Sequence, residues 1–300
     1  MEYVPDVSPD LPTRNWQIIL ALLGRLPQGA MSRSFGRIAD IQLPRAVRRR
    51  VLSTFASAVG ADLSEVAADL EEFPSINAFF VRHLKEGARQ WPADSAIIAS
   101  PVDGIIGQFG EVTAGKAIQA KGHSYSIAEL LADQAEAIRY EGGSFLTIYL
   151  SPRHYHRIHT PIAGTISSGT YIPGTLLPVN GPAVMHVPRL FARNERLICY
   201  VDSVAGRIPV VAVGAYNVGR ISAAFDREWG GTGRETWVTN RRPLSIQSRS
   251  YDPPRPVETG GEIMAFHLGS TIVMLFEPQV RLNQGLEAGA EVKLGAPLAH

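Results

Sequence analysis

Three short fragments of this 300-residue chain carry groups that could do chemistry together. The first, Ser100-Pro101-Val102-Asp103-Gly104, is turn-like and sets a carboxylate between apolar runs. The second runs from Ser151 to Pro161 and holds three of the eight histidines, His154, His156 and His159. The third is Leu268-Gly269-Ser270-Thr271, flanked on both sides by apolar residues. Each alone has a plain structural reading. Asp103 would be a turn aspartate bonding its own backbone, Gly269 a bulge and Ser270 a small strand residue. Together they supply an acid, an imidazole and a hydroxyl. An aspartate can orient a histidine, and the histidine can take the proton from a serine.

The order Asp, His, Ser also occurs in serine hydrolases, so a hydrolase using Asp103, His159 and Ser270 is one reading. The chain has no Gly-x-Ser-x-Gly elbow, however. Ser270 instead follows a glycine directly, in what reads as a strand. That arrangement suits attack on the chain's own Gly269 carbonyl, because a residue without Cβ can bend into a conformation that exposes its carbonyl. Ser151 followed by Pro152 is a good helix start, and Pro161 stops whatever begins there. One or two helical turns would put His156 and His159 on one face. Metal binding by that pair is a weak reading, since spacing places no third ligand, and no metal is expected.

The elements that must position these groups fall into two regions. Trp16, Ile19, Leu20, Leu23 and Leu26 share one helical face. Pro44 opens a second helix through Val47, Val51, Leu52 and Phe55. Asp62 or Ser64 caps a third, through Val66, Ala67 and Leu70. From about Pro74 the pattern changes to short, often β-branched runs between Gly and Pro. They are Ala96 to Ala99, Gly104 to Phe109, Phe145 to Leu150, Gly164 to Ile172, Leu197 to Val204, Ile208 to Ala215, Val218 to Phe225 and Glu262 to Phe276. A helix is expected at Ile127 to Leu131. The expected fold class is α+β, mainly β: a β barrel or sandwich catalytic core over 73–300, with a helical membrane-docking region over 1–72. The polar stretch from Trp229 to Gly260, with Arg241, Arg242, Arg249 and Arg255, reads either as a surface loop or as a flap over a site.

Charge is uneven. Eight arginines and one acid, Asp40, lie between Arg14 and Arg50, within a chain of formal net charge +1. A basic block beside an apolar helical face suits an anionic membrane surface. Nothing resembles a nucleic-acid motif, so no nucleic-acid partner is expected. The run from Trp16 to Leu26 is about half of the roughly 20 residues a membrane-spanning helix needs. A signal peptide is not expected there, because acidic residues precede the run. The single cysteine, Cys199, rules out an internal disulfide and reads as a buried strand residue.

Further motifs complete the pattern. In order come Asn77-Ala78-Phe79-Phe80-Val81-Arg82, Pro101-Val102-Asp103-Gly104 and Ala120-Lys121-Gly122-His123-Ser124-Tyr125-Ser126. Tyr149-Leu150-Ser151-Pro152, Tyr155-His156-Arg157-Ile158-His159, Phe191-Ala192-Arg193-Asn194-Glu195-Arg196 and Leu268-Gly269-Ser270-Thr271 follow. With these the chain resembles bacterial phosphatidylserine decarboxylases from about Asn77 to the C-terminus.

The resemblance implies that Asp103, His159 and Ser270 form a self-processing triad and that the chain breaks between Gly269 and Ser270. Residues 1–269 and 270–300 would then be separate subunits, the smaller one beginning with a covalent pyruvoyl group derived from Ser270. That cofactor would accept the electrons left when phosphatidylserine loses carbon dioxide and becomes phosphatidylethanolamine. The resemblance assigns His156 as the acid that reprotonates the product, with His159 as a neighbour. It further implies a homodimer of processed heterodimers and a peripheral location on the cytoplasmic face of the inner membrane. A pyruvoyl decarboxylase of a soluble amino acid and a non-catalytic lipid-binding module remain alternatives. The chain departs from the family at His154, where a variable and often acidic residue is usual, and at Pro178, where serine is common. The first 70 residues match only loosely.

Overall fold

The computed structural model describes residues 28–120, 122–216, 220–229, 237–240, 245–267 and 271–300. Its centre is an eight-stranded antiparallel sheet. The strand order is Gln247–Val257, Gly164–Ile172, Arg196–Ser203, Gly206–Val213, Thr271–Phe276, Ser144–Tyr149, Gly104–Glu111 and Glu291–Val292. The central strands read as unbroken apolar runs because both faces are covered. Every residue of Thr271–Phe276 is buried. Ile272, Met274 and Phe276 join Leu146, Ile148, Leu197 and Cys199 on one side. Val273 and Leu275 join Phe145, Ile198, Tyr200 and Val211 on the other. Each such side chain, fully buried, contributes about 1.5–3 kcal/mol.

Two different layers close these faces. The first is a small antiparallel sheet of Ile221–Ala223, Glu262–Phe266 and Arg157–His159, which adds Ile221, Phe266 and Ile158 to the core. The second is a set of short helices, including Ile127–Leu131 and Gly181–His186. The core is thus layered, and among the described residues no pairing closes the large sheet into a barrel. Gly104 sits where the first of the chemical fragments enters this sheet. A Cβ there would stand 2.5 Å from Ile148 Cγ2 and 2.7 Å from the Tyr149 carbonyl oxygen, so only glycine lets the chain pass.

The helix that Pro44 opens is present as Arg45–Val59 and ends at Gly60, whose φ of 76° makes the left-handed turn out. Leu52 and Ala56 bury one face against Val66 and Phe79, and Phe55 and Phe73 meet Phe79 edge-on. The helix expected from Asp62 or Ser64 does not form. Asp62 instead accepts hydrogen bonds from Ser64 N (2.8 Å) and Ser64 Oγ (2.7 Å), a local turn that competes with helix. The chain then runs beside residues 83–85, through Lys85 N to Glu65 O and Ala67 N to His83 O, leaving only a 3-10 turn at Leu70–Glu72. The expected helix over Trp16 to Leu26 lies outside the described residues.

Two further expectations are corrected. The long run from Glu262 to Phe276 is two strands in two sheets, Glu262–Phe266 and Thr271–Phe276. Within the stretch from Trp229 to Gly260, the part Gln247–Val257 is an edge strand paired with Gly164–Ile172, neither loop nor flap. Arg249 reaches Asp226 at 2.8 Å, and Arg255 lies over the Tyr251 ring. Arg241 and Arg242 lie outside the described residues. Cys199 is a buried strand residue, and burial raises its thiol pKa.

Candidate active site

The first two chemical fragments meet, His159 N donating to the Pro101 carbonyl, and the third is described only at Thr271, which pairs with Tyr149 in the central sheet. Asp103 follows a turn in which Ser100 Oγ donates to the Val102 carbonyl at 2.7 Å. Asp103 is 7% exposed, and both its carboxylate oxygens are engaged. Oδ1 accepts from Arg89 Nε and from Leu294 N, both at 2.8 Å, and Oδ2 accepts from Arg89 Nη2 at 2.5 Å. Arg89 also donates to Glu65 Oε2 at 2.8 Å. Burial works against the Arg89 charge, but the Asp103 and Glu65 carboxylates outweigh it and hold its pKa above the usual arginine value. The fork-on-carboxylate geometry is rigid.

The second fragment is not helical. His154 N closes one turn onto the Ser151 carbonyl at 3.0 Å, and the chain then extends. Arg157–His159 pairs with Glu262–Ala265, so strand pairing overrides the local helix-start signal. His156 and His159 therefore meet different neighbours. His159 stacks on Tyr155, with ring centroids 5.6 Å apart, and faces Trp91. His156 lies 4.1 Å from the Phe80 ring and has no exposed surface.

The structure sets the His159 tautomer. Nδ1 is 2.7 Å from the Gly260 carbonyl oxygen. A carbonyl only accepts, so the proton of neutral His159 sits on Nδ1 and Nε2 carries the lone pair. The Tyr155 hydroxyl donates to Nε2 at 3.1 Å. Burial lowers the His159 pKa, and the Gly260 bond opposes that shift. The ring is thus a neutral base, held by a backbone carbonyl in the place where an aspartate was expected. Asp103 and His159 are joined through the main chain instead, His159 N donating to Pro101 O at 2.9 Å. His156 is built alike. Nδ1 donates to the His154 carbonyl at 2.8 Å, and Nε2 is buried with no hydrogen-bond partner among the described residues. Burial pushes its pKa to about 3, with the His154 bond opposing and Arg82 adding to the fall.

Gly269 and Ser270 lie outside the described residues, but the chain on both sides is placed. Phe266 N donates to the His156 carbonyl at 2.9 Å. His267 donates through Nδ1 to Asn77 Oδ1 at 3.3 Å and accepts through Nε2 from Ser222 Oγ at 3.1 Å. Thr271 resumes opposite Tyr149 and Val213. The segment that holds the Gly-Ser step thus leaves the strand that carries the histidines' partners and enters the central sheet.

Sequence reading missed Arg89, Tyr155 and Gly260. Tyr155 was quoted only as part of a motif, and nothing local marks Arg89. The pair Gly260-Gly261 was the available signal for the third. Gly260 has φ 78°, and a Cβ there would lie 2.4 Å from Trp91 Cε2. Gly260→Ala is expected to shift the carbonyl from His159 and to destabilise the fold by about 1–3 kcal/mol. The self-processing that the family resemblance implies should slow at least tenfold, read as the time course of chain cleavage. Cleavage at the wild-type rate would contradict the assigned role.

One buried histidine, His156, and two half-buried ones, His154 and His267, also set an acid limit on stability. Burial depresses His156 to about 3 and His154 and His267 to about 4. In the unfolded chain each takes up a proton near its ordinary value, about 6.5. Their contribution to stability is therefore complete above about pH 6.5 and is lost progressively as pH falls from there toward 4. The Tm is expected to drop steadily between pH 7 and 5. A flat profile over that window would exclude the assignment.

A layered β protein with a neutral histidine, and a second buried histidine beside the approach to a Gly-Ser step, carries groups that can move protons. The chain belongs to the phosphatidylserine decarboxylase family, which matches residues 76–300. Curated relatives extend the likeness. The phosphatidylserine decarboxylase proenzyme of Anaeromyxobacter sp. (strain K) is 40% identical over 285 residues, covering 95% of this chain and 98% of the relative. The proenzyme of Myxococcus xanthus is 41% identical over 94% of this chain and 97% of its own length. That of Pseudomonas aeruginosa (strain PAO1) is 41% identical over 91% and 93%.

Proposed function

We propose that this chain is a proenzyme that breaks itself between Gly269 and Ser270 and then decarboxylates phosphatidylserine to phosphatidylethanolamine. The observation that carries the reading is His159, fixed with its proton on Nδ1 and its lone pair on Nε2. In processing, His159 Nε2 takes the Ser270 Oγ proton as Oγ bonds to the Gly269 carbonyl carbon. The Gly269–Ser270 C–N bond breaks and the nitrogen gains a proton, leaving an ester. Loss of the residue 270 α-proton then breaks the Cβ–Oγ bond and releases a Gly269 carboxylate. Water replaces the nitrogen at residue 270, ammonia leaves, and a pyruvoyl group remains.

The residues fit such a group. His156 presents a buried, unpartnered Nε2, and Phe80 excludes water from its ring. When present, the pyruvoyl carbonyl accepts the electron pair left as carbon dioxide departs. His156 keeps its own proton on Nδ1, so its Nε2 lone pair takes up a proton as the substrate's ammonium group gives one up in the site, and returns it to the substrate α-carbon. Asp103 holds the Pro101 turn, and so His159, through Arg89 and Leu294.

The region of residues 1–72 is the docking surface for anionic lipid, and residues 73–300 are the catalytic domain. Supporting this, five of the nine exposed large apolar side chains among the described residues lie there: Phe35, Ile38, Ile41, Val47 and Leu63. Arg37, Arg45, Arg49 and Arg50 are exposed beside them, a pairing suited to an anionic interface. No helix among the described residues is long and apolar enough to cross a membrane. A peripheral homodimer of processed heterodimers on the cytoplasmic face of the inner membrane completes the reading.

The test uses phosphatidylserine vesicles. Intact mass should show two fragments, phosphatidylethanolamine should accumulate, and a carbonyl reagent such as hydroxylamine should stop it. Full turnover by an unbroken chain would overturn the proposal. Equal turnover of a water-soluble serine ester would reassign the substrate.

A further inference from the structure

His267 is the last described residue before the Gly-Ser step. Three residues separate it from Thr271, Gly269 and Ser270 among them. Thr271 is fixed by its pairing with Tyr149 and Val213, so the hold on His267 sets how freely the short span between them moves. Two bonds make that hold. His267 N donates to the Arg220 carbonyl at 3.0 Å, and its Nδ1 meets Asn77 Oδ1 at 3.3 Å. Both partners then turn to one carboxylate. Asn77 Nδ2 donates to Asp40 Oδ1 at 2.7 Å, and Arg220 Nη1 donates to Asp40 Oδ2. Asp40, Asn77, His267 and Arg220 thus close a ring drawn from four distant parts of the chain. Asp40 directly follows the helix Gln28–Ala39, which packs so close that a Cβ on Gly36 would collide with the Arg220 guanidinium. Arg220 also lies 4.0 Å over the Trp237 ring, and Trp237 meets the His267 ring edge-on at 6.1 Å.

The donors give the ring a direction. A carboxylate only accepts, so the Asn77 amide turns Nδ2 to Asp40 and Oδ1 to His267. That oxygen only accepts in turn, so neutral His267 carries its proton on Nδ1, and Ser222 Oγ donates to the Nε2 lone pair at 3.1 Å. Every donor of the ring points toward Asp40, and bonds aligned in this way strengthen one another. Asp40 is also the one acid among the eight arginines between Arg14 and Arg50. We infer that Asp40 is a positioning residue for self-processing: by closing this ring it holds His267, and with it the near end of the span that contains the Gly-Ser step. The assignment rests on the self-processing proposed above, and Asp40 acts only through Asn77 and Arg220.

The experiment is a double-mutant cycle on Asp40→Asn and Asn77→Asp, followed as the time course of chain cleavage by intact mass. The new amide of Asp40→Asn has one acceptor oxygen and does not serve both Arg220 and Asn77, so the ring opens. In Asn77→Asp two carboxylates face each other with no donor between them. With both changes, residue 40 accepts from Arg220 and donates to residue 77, which still accepts from His267, and the ring closes again. Each single variant should cleave about tenfold or more slowly, and the double variant should return to within about fivefold of the wild-type rate. The second readout is the His267 tautomer, by side-chain nitrogen NMR of the histidine-labelled Ser270→Ala chain, assigned against His267→Gln. The Nδ1–H form is expected with the original pair and with the double variant, and the Nε2–H form enters with Asp40→Asn. A smaller loss in Asp40→Asn, a double variant slower than the stated bound, or an Nε2–H ring beside the original pair would each overturn the inference. Should the single variants fail to fold, the double variant and the tautomer decide it. A wild-type chain that stays whole would instead sink the function proposed above, while the tautomer still reports on the ring, so the two failures are separable.

Discussion

Replacing Ser270 with alanine should leave one polypeptide of 32.6 kDa and no measurable decarboxylation. Both losses follow from the same missing atom. Without Oγ no nucleophile reaches the Gly269 carbonyl, so no ester forms and the Gly269–Ser270 bond survives. With that bond intact, residue 270 never becomes a ketone, and the side chains described here offer no carbonyl to accept the departing electron pair. Ordinary general acid–base catalysis contributes about 10²–10⁴-fold and would not replace such a sink. The fold should be retained, because residue 270 is followed at once by the strand Thr271–Phe276, which is paired on both sides. The measurement is intact mass with a parallel assay of carbon dioxide release. Cleavage that continues in Ser270→Ala would place the nucleophile elsewhere. An uncleaved variant that still releases carbon dioxide would remove the pyruvoyl mechanism altogether.

The second large effect is a separation of two histidines three residues apart. His156→Gln should still cleave, yet decarboxylate about 10²–10⁴-fold more slowly. His159→Gln should remain largely uncleaved. The distinction rests on surroundings. His159 has its Nε2 lone pair beside the Tyr155 hydroxyl and its Nδ1 proton on Gly260, the arrangement of a base awaiting a hydroxyl proton. His156 is wholly buried against Phe80, with an Nε2 lone pair unpartnered among the described residues, the arrangement of a group that takes up a proton and hands it on where water is excluded. Each variant is scored twice, by fragment formation and by turnover of whatever cleaved protein is recovered. If both variants cleave normally, or both fail to cleave, the division of labour is wrong.

The sequence by itself determined the character of the core and supplied the candidates for the site. Asp103, His156 and His159 were legible because acid, imidazole and hydroxyl recur in short motifs. The central strands were legible because burial on both faces demands unbroken apolar runs, as at Thr271–Phe276. The helix opened at Pro44 was legible because its apolar positions keep one face. Tertiary structure decided what those residues touch. The helix-start signal at Ser151-Pro152 lost to strand pairing of Arg157–His159 with Glu262–Ala265, since register depends on a partner a hundred residues away. The expected aspartate–histidine bond gave way to Arg89 on Asp103 and Gly260 on His159, joining residues 14 and 101 positions apart. No local pattern encodes such distances. Hydrogen bonds and ion pairs of this kind are chosen only when packing brings the partners within about 3 Å of each other.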